Sequence, residues 1–458
     1  MTHTDTTFDM VILGGGPSGT SAAFRAAAEG MKTALVESGF LGGTCLNVGC
    51  IPTKYLLGAS ASIPLLAVQR KYKTVQGEIR FDLAALQNRK ERYIKGTRQA
   101  VEKQLREAGI ALFTGRGVFD GPQSLTVKGG DETRLSFSKC IVATGSVPAS
   151  FPGLKPDGAS VHASASLLSL TEVPESLIIV GAGAIGLELG EIFHRLGAKI
   201  ILAEVAPRIL PGEEPEISET VHAYHAREGW TILTGRKIEQ LTTVDGRSEL
   251  RFADGETLTA AKSLVAVGRR STAGSLQPEK AGMETNDKGW LKTDARLRAS
   301  EHIYATGDVN GRVLLAHAAD HQARYAVAHA AGDEAGEYTV PPMPSCVYGS
   351  MECMRVGPTL RELRDAGETD ITESRAPLAA NAIAQSYGHT QGFVRMLWRG
   401  DTLMAVSATG HGVSHLVSAS ALLVGRDLKK NAPLPLIFAH PTLDEVLESA
   451  IVAPRGNT

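Results

Sequence analysis

The sequence predicts an α/β protein that has two Rossmann-like dinucleotide-binding domains and a C-terminal α+β domain. Two observations lead to this fold class. A strand, glycine turn, helix and strand occur twice in the same order, and a proline-rich junction is followed by alternating apolar runs. At 458 residues the chain is long enough for several domains with cores of their own.

The first of these patterns lies at the N terminus. An apolar run at residues 8–13 leads into the glycine turn at 14–19, a helical stretch follows, and a second run at 33–36 ends at Glu37. Glycines in such a turn let backbone amides approach a pyrophosphate, and the acid can accept hydrogen bonds from a ribose. The residues predicted to bind a dinucleotide here are Gly14, Gly16, Gly19 and Glu37.

The second pattern repeats the first 167 positions later. Residues 177–180 lead into the glycine turn at 181–186, and the run at 199–203 ends at Glu204. The glycines and the acids have the same offset, which indicates two dinucleotide sites. The residues predicted to form the second site are Gly181, Gly183, Gly186 and Glu204.

Each βαβ pattern has a further counterpart downstream. Residues 140–145 and 264–269 are both short apolar runs that close on a glycine, Gly145 and Gly268. Each is interpreted as a later strand of its own nucleotide domain, although apolar strands often end in glycine and either run alone would carry little weight. The proline-rich junction at 340–344 then marks the last boundary. The expected domains are residues 1–150 and 271–340 for the first dinucleotide, 151–270 for the second, and 341–458 for a C-terminal domain.

Composition excludes some classes of function. Hydrophobic residues make up 43% and charged residues 21% of the chain, and the net charge of −2 gives no basic surface for nucleic acid. The N terminus lacks the pattern of a signal peptide, and no apolar run approaches 18 residues. We therefore expect a cytoplasmic enzyme without a membrane partner, in which a cysteine pair is more often catalytic than structural.

Two of the five cysteines, Cys45 and Cys50, lie in the string GGTCLNVGCIPTK at residues 42–54. On a regular helix their Cα atoms would be roughly 8.7 Å apart, whereas a disulfide needs about 4.4–6.8 Å. The backbone must therefore leave the helix between them, and Gly49 gives the freedom to do so. We interpret the pair as a redox-active disulfide; the alternative is two unrelated buried thiols.

The residues after Gly49 favour a reactive Cys50. Pro52 suits the first turn of a helix, so that Cys50 would lie at a helix N terminus, where the dipole favours a thiolate. Lys54, four residues on, lies on the same helical face and can supply a cation. The other cysteines have no redox or metal-ligand spacing and are interpreted as bystanders: Cys140, Cys346 and Cys353.

Two further segments contain candidate residues. In the first, an apolar run enters a Gly-Asp turn at Asp308, whose simplest role is to cap a turn. In the second, His440 precedes Pro441, and Glu445 could orient the imidazole from a helix starting near Pro441. A histidine before proline is most often a loop residue, but an oriented imidazole suits a base that cycles one proton.

Together these motifs resemble the class I pyridine nucleotide-disulfide oxidoreductases over essentially the whole chain. The resemblance implies FAD at the first site, NAD at the second, and a homodimer in which His440 and Glu445 act from the partner subunit. It also implies that Lys54 pairs with Glu188 near the flavin, that Asp308 contacts the ribityl chain, and that Ala316 faces the flavin ring. The remaining implied cofactor contacts are Gly117, Thr144, Gly145 and Gly268.

Within that family the cysteine string is most similar to the dihydrolipoamide dehydrogenases, which implies oxidation of a lipoyl-bearing partner protein with reduction of NAD⁺. Glu204 would repel a 2′-phosphate, which favours NAD(H) over NADP(H). The alternatives are an NADH-dependent reductase of another disulfide, a quinone or a metal ion, and a flavoprotein that serves as a binding subunit. The departures from the family pattern are Ala323, Gly349, Ser350, Met351, His415 and Phe438.

Overall fold

The structure, a computed structural model, describes residues 6–77, 81–130, 132–333, 336–429 and 436–458. Within these ranges the α-helices are α1 (Pro17–Ala28), α2 (Gly43–Val48), α3 (Cys50–Ser60), α4 (Ser62–Lys71), α5 (Leu83–Glu107), α6 (Ser164–Leu167), α7 (Ala184–Arg195), α8 (Pro215–Arg227), α9 (Ala316–Ala330), α10 (Leu360–Asp365), α11 (Ala382–Ser386), α12 (Val417–Leu423) and α13 (Glu445–Val452). Short 3₁₀ helices occupy Ala273–Leu276, Pro278–Ala281, Gly307–Asn310, Leu378–Ala380 and Val413–Leu416.

The strands of the same ranges are β1 (Thr6–Leu13), β2 (Thr33–Glu37), β3 (Ala111–Thr114), β4 (Arg116–Gly121), β5 (Ser124–Lys128), β6 (Thr133–Val142), β7 (Ser146–Pro148), β8 (Val161–His162), β9 (Ser176–Val180), β10 (Lys199–Ala203), β11 (Thr231–Leu233), β12 (Ile238–Val244), β13 (Arg247–Phe252), β14 (Thr257–Ala260), β15 (Lys262–Val265), β16 (Arg269–Ser271), β17 (Ile303–Ala305), β18 (Pro344–Val347), β19 (Glu352–Val356), β20 (Ile371–Pro377), β21 (Gly392–Arg399), β22 (Thr402–Gly410) and β23 (Gly456–Asn457). The chain divides into two compact units. The first comprises the residues up to Tyr55, Ala84–Ala149 and Gly268–Thr339, and the second comprises Leu56–Leu83, Ser150–Val267 and the residues from Val340.

The first unit is built on a sheet in which β3, β2, β1 and β6 are neighbours and parallel, with β17 beside β6. In the central strand, Met10 and Ile12 belong to the core that includes residues of α1 and α9, whereas Val11 and Leu13 belong to the core of the other face. This alternation follows from the two-residue period of a strand with both faces buried. The first predicted βαβ pattern is therefore confirmed as a structural unit.

The second unit contains a parallel sheet in the order β11, β10, β9, β15, β8, which confirms the second βαβ pattern. It also contains an antiparallel sheet in the order β18, β19, β22, β21, β20, β23, and the predicted runs at 392–397 and 403–407 lie in β21 and β22. Trp398 is fully buried in this part and donates from its indole N–H to Ser374 Oγ over 2.8 Å. The predicted α/β fold with an α+β C-terminal part is confirmed.

One segment, Gly43–Lys71, reaches the length and apolar composition of a membrane-spanning helix. It is not one helix but three, α2 to α4, which are separated at Gly49 and Ala61. The longest of them has 11 residues, whereas a bilayer core needs about 20 residues. Length and composition are therefore weak evidence that this segment crosses a membrane.

Candidate active site

The two cysteines of the motif lie on either side of a break between two helices. Helix α2 ends before Gly49, whose φ of −137° and ψ of −112° are not helical, and α3 begins at Cys50. The Gly49 carbonyl accepts hydrogen bonds from the backbone N–H of Thr53 at 3.1 Å and from its hydroxyl at 2.7 Å. The predicted departure from helix at Gly49 and the predicted helix N terminus at Cys50 are both confirmed, although the helix starts two residues before Pro52.

Cys45 and Cys50 are both in the reduced thiol form in the structure, and their side chains are hydrogen-bonded to each other. The hydrogen bond to Cys50, followed by burial, raises the pKa of Cys45 well above its ordinary value, and the Lys54 ammonium partly opposes this rise. Cys45 is partly exposed and Cys50 is exposed. The first unit therefore brings two thiols and a cation together, which is the arrangement that dithiol chemistry requires.

The two glycine turns share one backbone conformation. Gly14 has a φ of +100° and Gly181 a φ of +104°, a region that favours glycine. A Cβ atom at either position would lie 2.4 Å from a carbonyl oxygen, that of Ala143 or that of Ala266. These carbonyls belong to the two downstream apolar runs, so the four segments that the sequence pairs as counterparts are also equivalent in structure.

The position of the last glycine in each turn leaves no room for a side chain. A Cβ atom at Gly19 would lie 1.7 Å from the Gly14 carbonyl oxygen, and one at Gly186 would lie 2.1 Å from the Gly181 carbonyl oxygen. At Gly183, by contrast, a Cβ atom would meet nothing within 4 Å. This combination of a tight turn and an open middle glycine fits a dinucleotide pyrophosphate that approaches the backbone at a helix N terminus.

Each acid that ends the second strand of its pattern is held by two backbone amides. Glu37 accepts from the N–H groups of Gly15 and Gly39, both over 2.6 Å. Glu204 accepts from Ala182 over 2.7 Å and from Ala206 over 2.9 Å. One amide bonds each oxygen, so the second lone pair of each oxygen is left for a ribose hydroxyl.

Asp308 lies in the 3₁₀ helix Gly307–Asn310, and its carboxylate accepts a hydrogen bond of 2.5 Å from Ser146 Oγ. The Arg269 guanidinium lies 3.5 Å from the same oxygen and donates to Ser146 Oγ and to the Ser146 carbonyl, both over 2.6 Å. Sequence reasoning missed Ser146 and Arg269 as neighbours of Asp308. The signal was present, because each of them directly follows the closing glycine of one downstream run, Gly145 or Gly268.

The other predicted cofactor contacts lie on well-defined elements. Ala316 is the first residue of α9. The Thr144 hydroxyl accepts from Thr272 over 2.9 Å. A Cβ atom at Gly117 in β4 would lie 2.6 Å from a Leu13 methyl group, so this position also excludes a side chain. These observations fix where the residues lie, and their contacts with FAD stay predictions.

Glu188 lies in α7, is 5% exposed and accepts a hydrogen bond of 3.2 Å from the backbone N–H of Tyr348. It belongs to the second unit, whereas Lys54 belongs to the first. The pairing of Lys54 with Glu188 therefore stays a prediction.

His440 and Glu445 are in direct contact. His440 Nδ1 lies 2.8 Å from Glu445 Oε1, and the other Glu445 oxygen accepts from the Thr442 N–H over 2.9 Å. These hydrogen bonds, first that of Thr442 and then that of His440, hold the pKa of Glu445 below its usual range. Because an anionic carboxylate accepts the proton on Nδ1, His440 Nε2 is the nitrogen that can act as a base. The His440 side chain is 74% exposed, so this nitrogen is accessible.

The expectation that a helix starts near Pro441 is wrong. Helix α13 begins at Glu445, four residues later, and Thr442 occupies a turn before it. The turn persists because the Thr442 N–H bonds the Glu445 carboxylate and the Thr442 hydroxyl bonds the Ala439 carbonyl over 2.7 Å. His440 and Glu445 therefore meet across a turn and not along a helix face.

The departures from the family pattern have ordinary structural settings. Phe438 is half-buried against the core of the C-terminal part, and Met351 and Ala323 are buried. The Ser350 hydroxyl donates a hydrogen bond to the Glu191 carboxylate and accepts one from the Arg195 guanidinium over 3.0 Å. The structure gives none of these four a direct hydrogen bond to His440 or Glu445 within the described residues, and His415 is exposed.

Comparison with known proteins agrees with this architecture. The pyridine nucleotide-disulphide oxidoreductase family matches residues 8–323, and the dimerisation domain of that family matches residues 343–451. The chain is 35% identical to a dihydrolipoyl dehydrogenase of Chlorobaculum parvum, with 97% of each chain covered, and 34% identical to that of Bacillus subtilis, with 98% of each covered. The chain therefore belongs to the pyridine nucleotide-disulphide oxidoreductase family, and its cofactors are FAD and NAD(H).

Two solved structures have the same fold. LpdA from Mycobacterium tuberculosis superposes with a TM-score of 0.89 at 23% identity, and the HOCl-induced flavoprotein disulfide reductase RclA from Escherichia coli superposes with 0.87 at 25% identity. In both cases 97% of this chain and 99% of the other chain are covered. The chain is thus an oxidoreductase that is similar in sequence to dihydrolipoyl dehydrogenases and similar in fold to a disulfide reductase.

Proposed function

We propose that this protein is a dihydrolipoamide dehydrogenase, which oxidises protein-bound dihydrolipoyl groups and reduces NAD⁺. The observation that carries the proposal is the hydrogen-bonded pair Cys45 and Cys50 beside Lys54. The exposed His440, oriented by Glu445, supports it by supplying a base for an incoming thiol. The identity to curated dihydrolipoyl dehydrogenases over nearly the full chain gives further support.

The dithiol step can be written with the residues of this chain. With Cys45 and Cys50 joined as a disulfide, His440 Nε2 removes a proton from one thiol of dihydrolipoamide, and the thiolate attacks Cys45 Sγ. The cysteine disulfide breaks, and Cys50 leaves as a thiolate. The second dihydrolipoyl sulfur then attacks the first, and its proton passes to Cys45, which leaves as a thiol. Lipoamide departs as a cyclic disulfide, and the first proton stays on His440.

The contacts of the reduced pair agree with this assignment of roles. The hydrogen bond to Cys50 raises the pKa of Cys45, which agrees with a Cys45 that keeps its proton when it leaves the substrate. FAD, when bound, supplies the electron acceptor that passes a hydride to NAD⁺. Lys54 with Glu188, Asp308 and Ala316 would hold the flavin, and the first glycine turn would hold its pyrophosphate.

The proposal includes a homodimer and a protein substrate. The dimerisation domain that matches residues 343–451 supports a second copy of the chain, from which His440 and Glu445 would act. The substrate is then a lipoyl group on a protein of a 2-oxo acid dehydrogenase or glycine-cleavage complex, as expected for a relative of dihydrolipoyl dehydrogenases.

A second candidate function is an NADH-dependent reductase of another disulfide, a quinone or a metal ion. Its support is the likeness to RclA, a disulfide reductase that has been solved as a Cu(II) complex. The two functions are separated by steady-state turnover of the purified FAD-loaded protein. Dihydrolipoamide with NAD⁺ is expected to turn over at about 10–1000 s⁻¹, in the ordinary enzyme range. The second function would be favoured if dihydrolipoamide and NAD⁺ turned over at less than about one hundredth of the rate measured with NADH and either Cu(II) or a quinone.

Replacing Glu204 by alanine is expected to reduce the preference for NAD⁺ over NADP⁺. In the parent protein the carboxylate, held by Ala182 and Ala206, would repel a 2′-phosphate, and we expect a preference of at least about 100-fold in kcat/KM. The variant should raise KM for NAD⁺ and leave FAD bound. The matched control is Glu37→Ala, which should weaken FAD retention instead. Equal use of both nucleotides by the parent protein would refute the role of Glu204.

Replacing Gly186 by alanine is expected to raise KM for NAD⁺ at least about 10-fold, because the new Cβ atom would lie 2.1 Å from a carbonyl oxygen and the turn must shift. Gly19→Ala should instead yield protein that does not retain FAD, because its new Cβ atom would lie 1.7 Å from a carbonyl oxygen. FAD content is measured by the ratio of absorbance at 450 and 280 nm. Gly96→Ala is the control, because a Cβ atom there meets nothing within 4 Å. Full FAD content in Gly19→Ala would contradict the assignment of the first turn.

A further inference from the structure

We propose that Asn381 is a positioning residue for the His440 and Glu445 pair. The inference rests on the proposed function, in which His440 Nε2 deprotonates the dithiol. Asn381 lies at the N-terminal end of α11 in the second unit, 61 positions before Thr442, and is 6% exposed. A side-chain amide buried to that extent must satisfy both its donor and its acceptor groups.

The acceptor of Asn381 is used within its own helix. Its Oδ1 accepts from the backbone N–H groups of Ile383 at 3.1 Å and Ala384 at 3.0 Å, so Asn381 is the N-cap of α11. This bond fixes the side-chain torsions and therefore the direction in which the Nδ2 group points.

The donor of Asn381 leaves the helix. Nδ2 donates to the carbonyl oxygen of Thr442 over 2.9 Å. Thr442 stabilises the turn at residues 439–445 that contains His440 and Glu445. Its N–H donates to one oxygen of Glu445, and the other oxygen of Glu445 accepts from His440. The Thr442 hydroxyl also closes the turn on Ala439. Asn381 thus links a rigid cap to the turn that sets the position of the carboxylate and, through it, of the imidazole.

Substitution can separate the two roles of Asn381, which are the helix cap made by Oδ1 and the link, the hydrogen bond from Nδ2 to the Thr442 carbonyl oxygen. In Asn381→Asp the carboxylate still caps α11, because aspartate is as good an N-cap as asparagine. The donor, however, is replaced by an oxygen facing the Thr442 carbonyl oxygen, so an attractive contact becomes repulsive. Asn381→Ser keeps a capping hydroxyl and is too short to reach Thr442. Both variants should therefore retain the helix and lose the link.

A control variant should lose a helix cap elsewhere in the same unit and keep the hydrogen bond between Asn381 and Thr442. Thr359 is the N-cap of α10 in the same unit and forms a capping box with Glu362. Thr359→Ala should lower the melting temperature by at least as much as Asn381→Asp, while the turn around Thr442 keeps its contacts.

The experiment combines two measurements on the FAD-loaded protein. Hydrogen exchange of the peptide covering residues 439–446 should become at least about 10-fold faster in Asn381→Asp and Asn381→Ser and stay unchanged in Thr359→Ala. In stopped-flow, reduction by dihydrolipoamide should slow about 10-fold in the two Asn381 variants, whereas reduction by NADH, which needs no base for a thiol, should stay within about 2-fold.

Unchanged exchange in the Asn381 variants would overturn the inference, and so would an equal slowing of both reductions, which would indicate general damage. Parental rates with dihydrolipoamide would overturn it as well. If the parent protein does not react with dihydrolipoamide at all, the proposed function fails, and the exchange measurement still decides whether Asn381 holds the turn.

Discussion

Replacing Cys50 by serine is expected to lower turnover of dihydrolipoamide at least about 1000-fold while the protein stays folded and retains FAD. A serine hydroxyl cannot form the disulfide with Cys45, so the electron pair of the substrate has no sulfur acceptor. Because Cys50 is exposed at the start of α3, the substitution should cost little stability. The measurement is steady-state turnover of dihydrolipoamide with NAD⁺, beside FAD content and melting temperature.

The matched control for this variant is Cys346→Ser. Cys346 is also a reduced thiol, partly exposed in β18, and the sequence gives it no redox spacing. It should keep at least about half of the parental turnover. Full lipoamide turnover in Cys50→Ser would contradict the role of the pair, and a large loss in Cys346→Ser would show that the chemistry involves a thiol outside it.

Replacing His440 by glutamine is expected to lower the rate of reduction by dihydrolipoamide about 100- to 10,000-fold, the range attributed to a general base. Glutamine can still bond Glu445 but cannot accept a proton at the position of Nε2. Glu445→Gln, which removes the charge that orients the imidazole, should cost less, about 10-fold. The rate of reduction is measured in single-turnover mixing with dihydrolipoamide and, separately, with NADH.

Reduction by NADH should be unaffected in both variants, because no thiol is deprotonated in that direction. His415→Gln is the matched control: His415 is an exposed histidine of the same C-terminal part and should leave both rates unchanged. A parental rate with dihydrolipoamide in His440→Gln would remove His440 from the mechanism.

The sequence predicts what depends on local pattern. Both glycine turns, both acids and the break at Gly49 follow from residue types at short spacing, and the structure has each of them. Local pattern succeeds here because a positive φ or a strand period is decided by one residue and its nearest neighbours.

What the sequence could not predict depends on contacts between distant residues. Asp308 bonds Ser146 from 162 positions away, and Asn381 bonds Thr442 from 61 positions away. The sequence predicts a helix that starts near Pro441, yet the bond from Thr442 to Glu445 keeps a turn there. In each case a tertiary or medium-range hydrogen bond decides the outcome, and periodicity carries no information about it.

The most direct test of the account is an anaerobic titration of the purified yellow protein with NADH, followed by absorbance, with lipoamide added at the end. The account predicts that two electrons produce a long-wavelength band from a Cys50 thiolate beside the oxidised flavin, and that lipoamide removes this band. Direct bleaching of the flavin without the band would mean that Cys45 and Cys50 are not coupled to it, and the central claim would fail.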